Sequence, residues 1–404
     1  MKNYSTIFKC RLCSSRRLSK LFSLGNLYIS TFVKKPGRNI GRAPLELVWC
    51  NKCTLVQLKH TAKQELLYSG NYWYESGLNK IIVNDLKNIV RIGLRMVKYK
   101  IGDCWLDLGA NDGTLLSFIP RKWVRIGVEP AKNLYPIMSR HADIKYNSFW
   151  NSELLTKHFE ATTGRFDMSI KIISAIGMFY DMDDPGQFVR DVTKVLHKDG
   201  IFIAQLMTAK QMLEKNDVGN ICHEHIEYYS YKSLVYLFEK NGLEIFKVEE
   251  NDINGGSYRL YARHFRKGSV RHAENVTKKA YKDFYRRIQQ NRDNCVKFIE
   301  KCKEYGEKVY AYGASTKGNT ILQWFGFTKK DIVGVAEIHP NKIGKFTVGS
   351  NIPIIKEDEV KEKADWFLIL PFAFKDSFIK RNKNWLASGG KFIFSTPKFE
   401  IYAK

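Results

Sequence analysis

The chain has 404 residues, which is long for one hydrophobic core and predicts two or three domains. Its 44% hydrophobic and 26% charged content is ordinary for a globular protein, and no apolar run reaches the roughly 18 residues of a membrane span. The net charge of +25 favours an anionic ligand, but the basic residues are spread along the chain, which disfavours a dedicated nucleic-acid tract. The N-terminus lacks the apolar core of a signal peptide, so we expect an intracellular, cytoplasmic protein without a membrane partner.

Two pairs of cysteines lie near the N-terminus, each with the spacing Cys-x-x-Cys. Cys10 pairs with Cys13 and Cys50 with Cys53, and together they can supply four thiolates to one tetrahedral zinc. Prolines and glycines interrupt residues 1–68, so we expect a loop-rich module whose folding depends on the metal. Four unrelated buried cysteines or a redox pair are the alternatives. With four thiolates the predicted zinc site is closed and structural.

Strand-like runs alternate with helix-like segments from about residue 100 onward, which predicts parallel α/β sheets. We place the domains at 1–68, 69–255 and 256–404. The strands predicted for the middle domain are CWLDLGA, WVRIGVEP, IKIISAIGMF and GIFIAQLM, with helices at NSELLTKHFE and PGQFVRDVTKVLH. The last domain opens with the strand SYRLYARH and an amphipathic helix from about His272 to Lys308. Its further strands are KVYAYGA, IVGVAEI, ADWFLIL and KFIFSTP.

A glycine-rich turn follows the first predicted strand of the middle domain and favours a nucleotide cofactor. Residues 107–113 read DLGANDG, and glycines there let the backbone approach a ligand closely. The next strand ends at Glu129, whose carboxylate can accept hydrogen bonds from ribose hydroxyls. Because GxGxxG is absent, this order fits S-adenosylmethionine (SAM) better than a dinucleotide; a simple turn with an N-cap carboxylate is the alternative. The predicted cofactor contacts are Asp107, Gly109, Asn111, Asp112, Gly113, Glu129 and Pro130.

A segment with two histidines, CHEHIEYYS, follows the predicted strand GIFIAQLM. His223 and His225 are two residues apart, so the segment is not the HExxH zinc motif. In a loop, alternate residues can face one cavity, and a histidine near its ordinary pKa of about 6.5 suits a general base at neutral pH. Glu224 could orient that base or bind a substrate hydroxyl. A hydrogen-bonding cluster at a helix start marked by Ser230 is an equally supported alternative.

The turn GASTKG at 313–318 follows the predicted strand KVYAYGA and opens a helix-like segment. Backbone N–H groups there, together with Lys317, could bind phosphate. The turn is not a Walker A motif, so nucleotide hydrolysis is not implied. A Rossmann-like turn with a solvent-facing lysine is the alternative.

Several collinear segments that span nearly the whole chain carry a resemblance to a known family. They are the two cysteine pairs, YWYESG at 72–77, DLGANDGTLL at 107–116, AIGMFYDMDDP at 175–185, ICHEHIEYYS at 221–230, NGGS at 254–257 and YGASTKGN at 312–319. This ordered set resembles the nucleotide-sugar C-methyltransferases, which act on keto-sugars carried on a nucleoside diphosphate. The resemblance implies a zinc-binding N-terminal module, a class I SAM-methyltransferase core of Rossmann-like fold and a C-terminal α/β domain that helps to hold the nucleotide-sugar.

The resemblance also implies a chemistry. A base removes the proton next to a ketone, and the enolate that forms attacks the SAM methyl group. The second histidine, His225, is implied as the base. The implied catalytic set is His225, Glu224, His223, Tyr74 and Tyr72, and the implied substrate contacts are Asn254, Gly255, Ser315 and Lys317.

The chain departs from the family at three positions. Thr54 stands where glycine is frequent, Cys222 stands where a tyrosine can occur, and Asp181 stands where some members have a histidine. Methylation of another small molecule, or of a sugar oxygen, is therefore the alternative function. An RNA or DNA methyltransferase is disfavoured because no base-methylation signature is present, and a non-enzymatic nucleotide-binding module is disfavoured by the intact turn at 107–113. The oligomeric state is open.

Overall fold

The N-terminal part of the chain is an antiparallel β module. The computed structural model describes residues 2–68, 72–157 and 169–403. The elements of the module are β1 (Tyr4–Thr6), β2 (Leu18–Tyr28), β3 (Phe32–Val33), β4 (Arg42–Cys50), β5 (Val56–Leu58), β6 (His60–Ala62) and α1 (Gln64–Tyr68). The predicted boundary after residue 68 borders residues 69–71, which lie outside the described ranges.

The expectation of a loop-rich module is wrong, because β2 and β4 form a long antiparallel pair. In β4 the buried Ala43, Leu45 and Leu47 alternate with more exposed residues, which is the pattern of a strand with one face in a core. The apolar partners come from elsewhere in the chain: Leu45 and Leu47 share a core cluster with Phe284 and Ile321. The module therefore completes its core against the C-terminal domain.

A mixed sheet forms the middle of the molecule. The elements of this part of the chain are α2 (Lys80–Met96), β7 (Cys104–Leu108), α3 (Thr114–Ser117), β8 (Val124–Val128), α4 (Tyr135–Met138), β9 (Ile144–Tyr146), β10 (Ile170–Ile176), α5 (Pro185–Val195), β11 (Ile201–Met207), α6 (Ala209–Glu214), β12 (Glu227–Tyr228), α7 (Tyr231–Lys240), β13 (Leu243–Asn251) and β14 (Ser257–His264). The strand order is β13-β14-β11-β10-β7-β8-β9. The helix predicted at 151–160 is described only as far as 157, and its end lies outside the described residues.

This sheet confirms the predicted class I methyltransferase core. Strands β9, β8, β7, β10 and β11 are parallel, while β14 runs antiparallel to both of its neighbours. The parallel strands β7 and β11 are buried on both faces, so they appear in the sequence as continuous apolar runs. Helix α5 begins as its sequence indicates, with Pro185 in its first turn and the Asp184 side chain accepting from the Gln187 N–H.

The predicted boundary between residues 255 and 256 lies between two paired strands of this sheet. It falls between β13 and β14, which pair along almost their whole length from Asn251↔Ser257 to Leu243↔His264. Strand β14 also pairs with β11. The central sheet therefore continues to His264, because antiparallel pairing brings a strand that follows the glycine turn back into it.

The C-terminal part is a second α/β domain, as predicted. Its elements are α8 (Lys278–Glu304), β15 (Val309–Tyr312), α9 (Thr316–Phe325), β16 (Val335–Glu337), β17 (Phe346–Thr347), β18 (Ile354–Lys356), α10 (Glu357–Val360), β19 (Trp366–Ile369), α11 (Lys375–Arg381), α12 (Lys383–Ala387), β20 (Lys391–Phe394) and β21 (Glu400–Tyr402). The sheet order is β18-β16-β15-β19-β20-β21, parallel except for β21. Short 3-10 helices lie at Ser76–Leu78, Val218–Asn220, Ile253–Gly255, Lys361–Lys363 and Phe372–Phe374.

The N-terminal module is joined to both α/β domains by strand pairing. Strand β5 pairs with β12, which comes directly after the histidine segment, and β3 pairs with β17 of the C-terminal domain. These contacts place the module beside the carboxyl edge of the central sheet. Within the described residues no helix is both long enough and apolar enough to cross a membrane.

Candidate active site

A cavity of about 580 Å³ lies at the carboxyl edge of the central sheet, where parallel strands leave a crevice for ligands. The ends of β7, β8, β10 and β11 form one wall, and the chain from Tyr72 to Asn79 forms another. The histidine segment and the start of α9 close the far side. These three groups of residues therefore line one cavity.

The glycine-rich turn adopts a conformation that its sequence makes possible. Gly109 has φ +67°, and a Cβ there would lie 2.9 Å from Met178 Cγ, so only glycine fits this left-handed position. Asn111 also has a positive φ, of 55°, and its N–H donates to Glu129 Oε2 (2.7 Å). The Ala131 N–H donates to Glu129 Oε1 (2.7 Å). The Glu129 carboxylate thus ties the ends of β7 and β8 together at the cavity wall.

Glu129 is suited to hold a ribose. Burial raises the pKa of its carboxyl to about 7, against the opposing effect of the two backbone hydrogen bonds. Each carboxylate oxygen has a second lone pair, which can accept a hydrogen bond from a ribose hydroxyl. Of the predicted cofactor contacts, Gly109, Asn111, Glu129 and Pro130 line the cavity.

The other predicted cofactor residues shape the turn and do not line the cavity. Asp107 lies within the sheet, where it accepts a hydrogen bond from Ser174 Oγ (2.6 Å) and where burial raises its pKa to about 7. Asp112 accepts from Thr114 Oγ1 (2.6 Å) and from the Gly77 N–H (2.6 Å). Gly113 precedes α3 with φ +79°. We expected these residues to touch the cofactor; the structure gives them supporting positions, because Asp107 lies inside the buried strand β7 and the other two stand directly before α3.

The two predicted tyrosines line the cavity next to the turn. The Asn111 Nδ2 group donates to the Tyr74 carbonyl (3.0 Å), and the Tyr72 N–H donates to Asn133 Oδ1 (2.9 Å). Burial raises the pKa of both tyrosines, so their hydroxyls stay protonated at neutral pH and can donate hydrogen bonds. The backbone of this segment is therefore fastened to the cofactor turn while its side chains face the ligand space.

His225 lies in the cavity with a defined orientation. Its Nδ1 is 2.9 Å from the Asn220 carbonyl oxygen and 2.8 Å from Asn220 Oδ1, and both partners are acceptors. The Nδ1 therefore carries the proton, and Nε2 keeps its lone pair. The Tyr180 ring packs edge-on against the imidazole at 4.5 Å between ring centroids. Burial, and next the Lys317 charge, hold the pKa of His225 well below its usual range, so the ring is neutral.

His223 points the other way and does not line the cavity. Its Nε2–H donates to the Ala43 carbonyl in β4 (2.9 Å), and burial lowers its pKa to about 4. The prediction of a catalytic role for His223 therefore has no support in the geometry. Alternate side chains of an extended loop point to the same side, which would place both histidines in one cavity. The chain turns here, so the two histidines point in different directions.

Glu224 lines the cavity and reaches the C-terminal domain. Its Oε2 accepts a hydrogen bond from Thr316 Oγ1 at the start of α9 (3.0 Å). Burial raises the pKa of Glu224, while Thr316, Lys317 and Lys342 lower it. Asp181 lies nearby, its Oδ1 is buried and has no hydrogen-bond partner among the described residues, and burial raises its pKa well above the usual range. This side of the cavity thus holds protonatable carboxyls next to lysines.

The predicted substrate residues divide in the same way. Asn254, Ser315 and Lys317 line the cavity, whereas Gly255 does not. Gly255 has φ +98°, and a Cβ there would lie 3.1 Å from Phe372 Cζ, so its role is a tight turn. Ser315 Oγ caps α9 by accepting from the Gly318 N–H (2.9 Å).

Two residues that line the cavity, Tyr180 and Lys342, and one that contacts His225, Asn220, were not identified from sequence. Asn220 orients His225, Tyr180 packs on it, and Lys342 lines the wall while donating to the Ala314 carbonyl (2.9 Å). Tyr180 lies inside a segment that carries the family resemblance, which could have identified it. Asn220 and Lys342 belong to no recognised motif.

The second α/β domain contains a carboxylate that accepts two backbone hydrogen bonds, as Glu129 does. We call this arrangement a carboxylate bracket. Glu337, at the end of β16, accepts from the Ala314 N–H through Oε2 (2.8 Å) and from the His339 N–H through Oε1 (3.0 Å). Glu337 does not line the cavity. It is therefore an internal counterpart of Glu129 without its access to a ligand.

The four N-terminal cysteines converge as predicted. Cys10 Sγ lies 3.5 Å from Cys53 Sγ, and Cys13 Sγ lies 3.5 Å from Cys50 Sγ. Sulfurs on one tetrahedral zinc are about 3.8 Å apart, given Zn–S bonds of about 2.3 Å. All four side chains are buried, and the hydrogen bond with Cys53 lowers the pKa of Cys10 below its usual range. The donor set fits a structural zinc ion.

Each cysteine pair forms a knuckle closed by a left-handed residue. The Ser14 N–H donates to the Cys10 carbonyl (2.9 Å), and the Thr54 N–H donates to the Cys50 carbonyl (3.0 Å). Ser14 has φ 56° and Thr54 has φ 65°. This left-handed conformation suits glycine best, which gives a physical reason for the glycine that the family resemblance leads us to expect at position 54.

Arg11, inside the first knuckle, connects the cysteine cluster to the cavity wall. Its guanidinium donates to the Leu58 carbonyl (2.8 Å). Its Nε lies 3.6 Å from both Glu227 Oε1 in β12 and Asp183 Oδ1. The cluster therefore supports the strand that follows His225.

Family models match this chain over three consecutive stretches. Residues 10–68 match the model described as "Putative zinc binding domain", residues 86–248 match a methyltransferase domain, and residues 252–397 match a C-methyltransferase C-terminal domain. A curated relative, C-methyltransferase NovU from Streptomyces niveus, is 25% identical over 97% of this chain and 96% of its own length. The chain is a SAM-dependent methyltransferase. The enzyme combines this activity with a four-cysteine zinc site.

Solved structures resemble the methyltransferase over less than half of its length. The mitomycin 7-O-methyltransferase MmcR is 12% identical, with a TM-score of 0.35, and the match covers 46% of this chain and 55% of that chain. A SAM-dependent methyltransferase from Leishmania major is 12% identical, with a TM-score of 0.36, and the match covers 46% of this chain and 75% of that chain.

We predict that the Cys10→Ser variant loses the structural zinc. The wild-type enzyme should carry about one tightly bound zinc per chain, and the loss should destabilise the N-terminal module by several kcal/mol, because metal-binding energy contributes to folding. Metal analysis and thermal unfolding measure both effects. The control Cys295→Ser, at a buried cysteine in α8, should keep its zinc. A folded wild-type protein free of zinc would contradict the assignment.

We also predict that Glu129→Ala weakens SAM binding by about 1.5–3 kcal/mol, as expected for lost hydrogen bonds to a charged group. Calorimetry with the Glu337→Ala control, which removes the matching bracket of the other domain, should show unchanged SAM affinity. Since the raised pKa of about 7 means that Glu129 is protonated below that pH, wild-type affinity should fall as the pH drops below it. Equal SAM affinity in wild type and Glu129→Ala would move the cofactor site elsewhere.

Proposed function

We propose that this methyltransferase transfers the SAM methyl group to a carbon of a keto-sugar carried on a nucleoside diphosphate. His225 Nε2 takes the proton from the carbon next to the ketone. The enolate carbon then forms a bond to the methyl group as the bond from sulfur to that group breaks, leaving S-adenosylhomocysteine. The C-methyltransferase family model and the likeness to NovU support transfer to carbon.

The orientation of His225 carries the proposal. A general base needs a free lone pair within reach of the substrate, and the two Asn220 acceptors fix the proton on Nδ1. The free Nε2 belongs to a side chain in the same cavity as the Glu129 bracket. Substrate carbon and methyl donor can thus meet in one enclosed space.

An enolate also needs hydrogen-bond donors, since negative charge develops on the ketone oxygen. Tyr72 and Tyr74 line the cavity, and their hydroxyls remain protonated because burial raises their pKa. We assign the enolate oxygen to these donors. The Glu224 carboxyl, which is held by Thr316, is the partner for a sugar hydroxyl.

The start of α9 is the proposed place for the diphosphate. Helix α9 spans Thr316–Phe325. Ser315, which precedes it, and its first two residues, Thr316 and Lys317, line the cavity. Exposed N–H groups and the helix dipole favour phosphate there, and Lys317 adds a positive charge. On this basis we assign SAM binding to the central sheet and nucleotide-sugar binding to the C-terminal domain, in a cytoplasmic enzyme.

We predict that His225→Ala lowers the methylation rate by roughly 10²–10⁴-fold, the usual contribution of general base catalysis. SAM affinity should change little, because His225 is separate from the Glu129 bracket. Exchange of the substrate's α-proton with deuterated water, measured with S-adenosylhomocysteine in place of SAM, should disappear in the same variant. Mass spectrometry follows the exchange.

His223→Ala is the matched control, since His223 is buried and bonded to Ala43 outside the cavity. It should retain proton exchange in its folded fraction. Retained exchange and turnover in His225→Ala would assign the base to another residue. Parallel assays with labelled SAM and either nucleotide-sugars or RNA test the substrate class, and labelling of RNA alone would refute the proposal.

A further inference from the structure

We propose that Cys222, Glu224 and His225 form a second zinc site, at which a bound ion takes the lone pair of the base. One sulfur, one carboxylate oxygen and one imidazole nitrogen from these residues lie within 4.8 Å of one another. Cys222 and His225 are buried, and Glu224 is partly buried. This group is separate from the four-cysteine cluster, which uses none of the three residues.

The local fold brings the three side chains together. They lie on irregular chain between the 3-10 helix Val218–Asn220 and β12. The Ile226 N–H donates to the Tyr180 carbonyl (2.9 Å), which anchors the end of this stretch. Because the chain turns between these anchors, residues that are one and two positions apart converge on one point.

His225 is already oriented as a metal ligand would be. Metal-bound histidines almost always donate their other ring N–H to a carbonyl or carboxylate oxygen, which fixes the coordinating nitrogen. The Asn220 oxygens accept from Nδ1 here and leave Nε2 free. The same arrangement that prepares the base therefore prepares a ligand.

The remaining adjustment is small. Zinc bonds of about 2.0–2.3 Å place ligand atoms on one tetrahedral ion about 3.3–3.8 Å apart. From the 4.8 Å limit, the ligand atoms must approach one another by at most about 1–1.5 Å. Glu224 can move, because one hydrogen bond to Thr316 holds its Oε2. With three protein ligands, the fourth position opens toward the cavity, as in sites that also bind water or substrate.

Thiolate, imidazole and carboxylate together select zinc over magnesium or calcium. Binding requires that Cys222 release its thiol proton to solvent, so the ion exchanges for one proton there. Lys317 lies close enough to act on the charges of Cys222 and Glu224, and its positive charge opposes the ion. The second zinc should therefore bind more weakly than the first and should exchange readily.

Zinc at this site inhibits catalysis, because His225 Nε2 cannot both coordinate the ion and accept a proton. This consequence rests on the proposed function, whereas binding of the ion does not. Zinc would act as a reversible inhibitor that competes with proton abstraction and leaves SAM binding intact.

Equilibrium dialysis of the purified holoenzyme against Zn²⁺ tests the binding. Wild type should take up a second ion, and Cys222→Ser should stop at the first, with at least about a tenfold loss of affinity for the second. Cobalt(II) added to zinc-loaded protein should give a thiolate-to-cobalt absorption band in wild type and in the Cys104→Ser control, but not in Cys222→Ser. Circular dichroism verifies folding, and Cys222→Ala replaces the serine variant where serine does not fold.

A titration of activity with Zn²⁺ tests the consequence. Wild type should be inhibited and recover with a chelator that spares the tighter site, whereas Cys222→Ser should keep basal activity and resist zinc. A single zinc per chain in wild type, or equal inhibition of wild type and Cys222→Ser, would overturn the second site. A second zinc that depends on Cys222 but does not inhibit upholds the site and refutes His225 as the base, so the two proposals fail separately.

Discussion

The pairing of β12 with β5 is the contact on which the active site depends. Glu227 and Tyr228 pair with Gln57 and Val56, directly after the histidine segment. The Leu58 N–H adds a hydrogen bond to the Ile226 carbonyl (2.9 Å). The segment from the end of α6 to β12 is irregular apart from one 3-10 helix, so this pairing fixes the position of its end. The N-terminal module thus provides the surface that fixes the position of the proposed base.

The zinc cluster gives this module its rigidity at the point where it meets the cavity. The Glu227 carboxyl is buried, and the Arg11 guanidinium lies 3.6 Å from it. Burial raises the pKa of Glu227 well above its usual range, while Arg11 lowers it. Leaving one member of such a pair alone in the interior is costly. Because Arg11 lies inside the first knuckle, the metal that holds the knuckle also holds the partner of Glu227.

The two α/β domains repeat one backbone device with different results. Glu129 and Glu337 each stand at the end of one strand and accept a hydrogen bond from a backbone N–H in the turn after the neighbouring strand. In the central sheet the bracket faces the cavity, whereas in the C-terminal domain Lys342 reaches across the turn to the Ala314 carbonyl. Similar architecture therefore produces a ligand-facing carboxylate in one domain and an internal support in the other, as expected when function resides in sites rather than folds.

The sequence by itself indicated the α/β class, the four cysteine ligands and the glycine-rich turn with Glu129, whereas the choice of His225 over His223 came from the family resemblance. These features are local: a buried strand, a glycine turn and a Cys-x-x-Cys knuckle each contain the residues that define them. The likeness to known methyltransferases extended this information to the order of the domains. It did not extend to the direction of individual side chains.

Tertiary structure alone decided which of the chosen residues face the ligand. Asp107 points away from the cavity because it accepts a hydrogen bond from Ser174, 67 positions along the chain. His223 points away because it donates to the carbonyl of Ala43, 180 positions along the chain. The return of β14 into the central sheet, and the cover that the C-terminal domain gives to the N-terminal module, likewise depend on contacts between distant segments. A pattern in sequence records which residue types occur together. Where an irregular chain turns its side chains is set by the surfaces that pack against it.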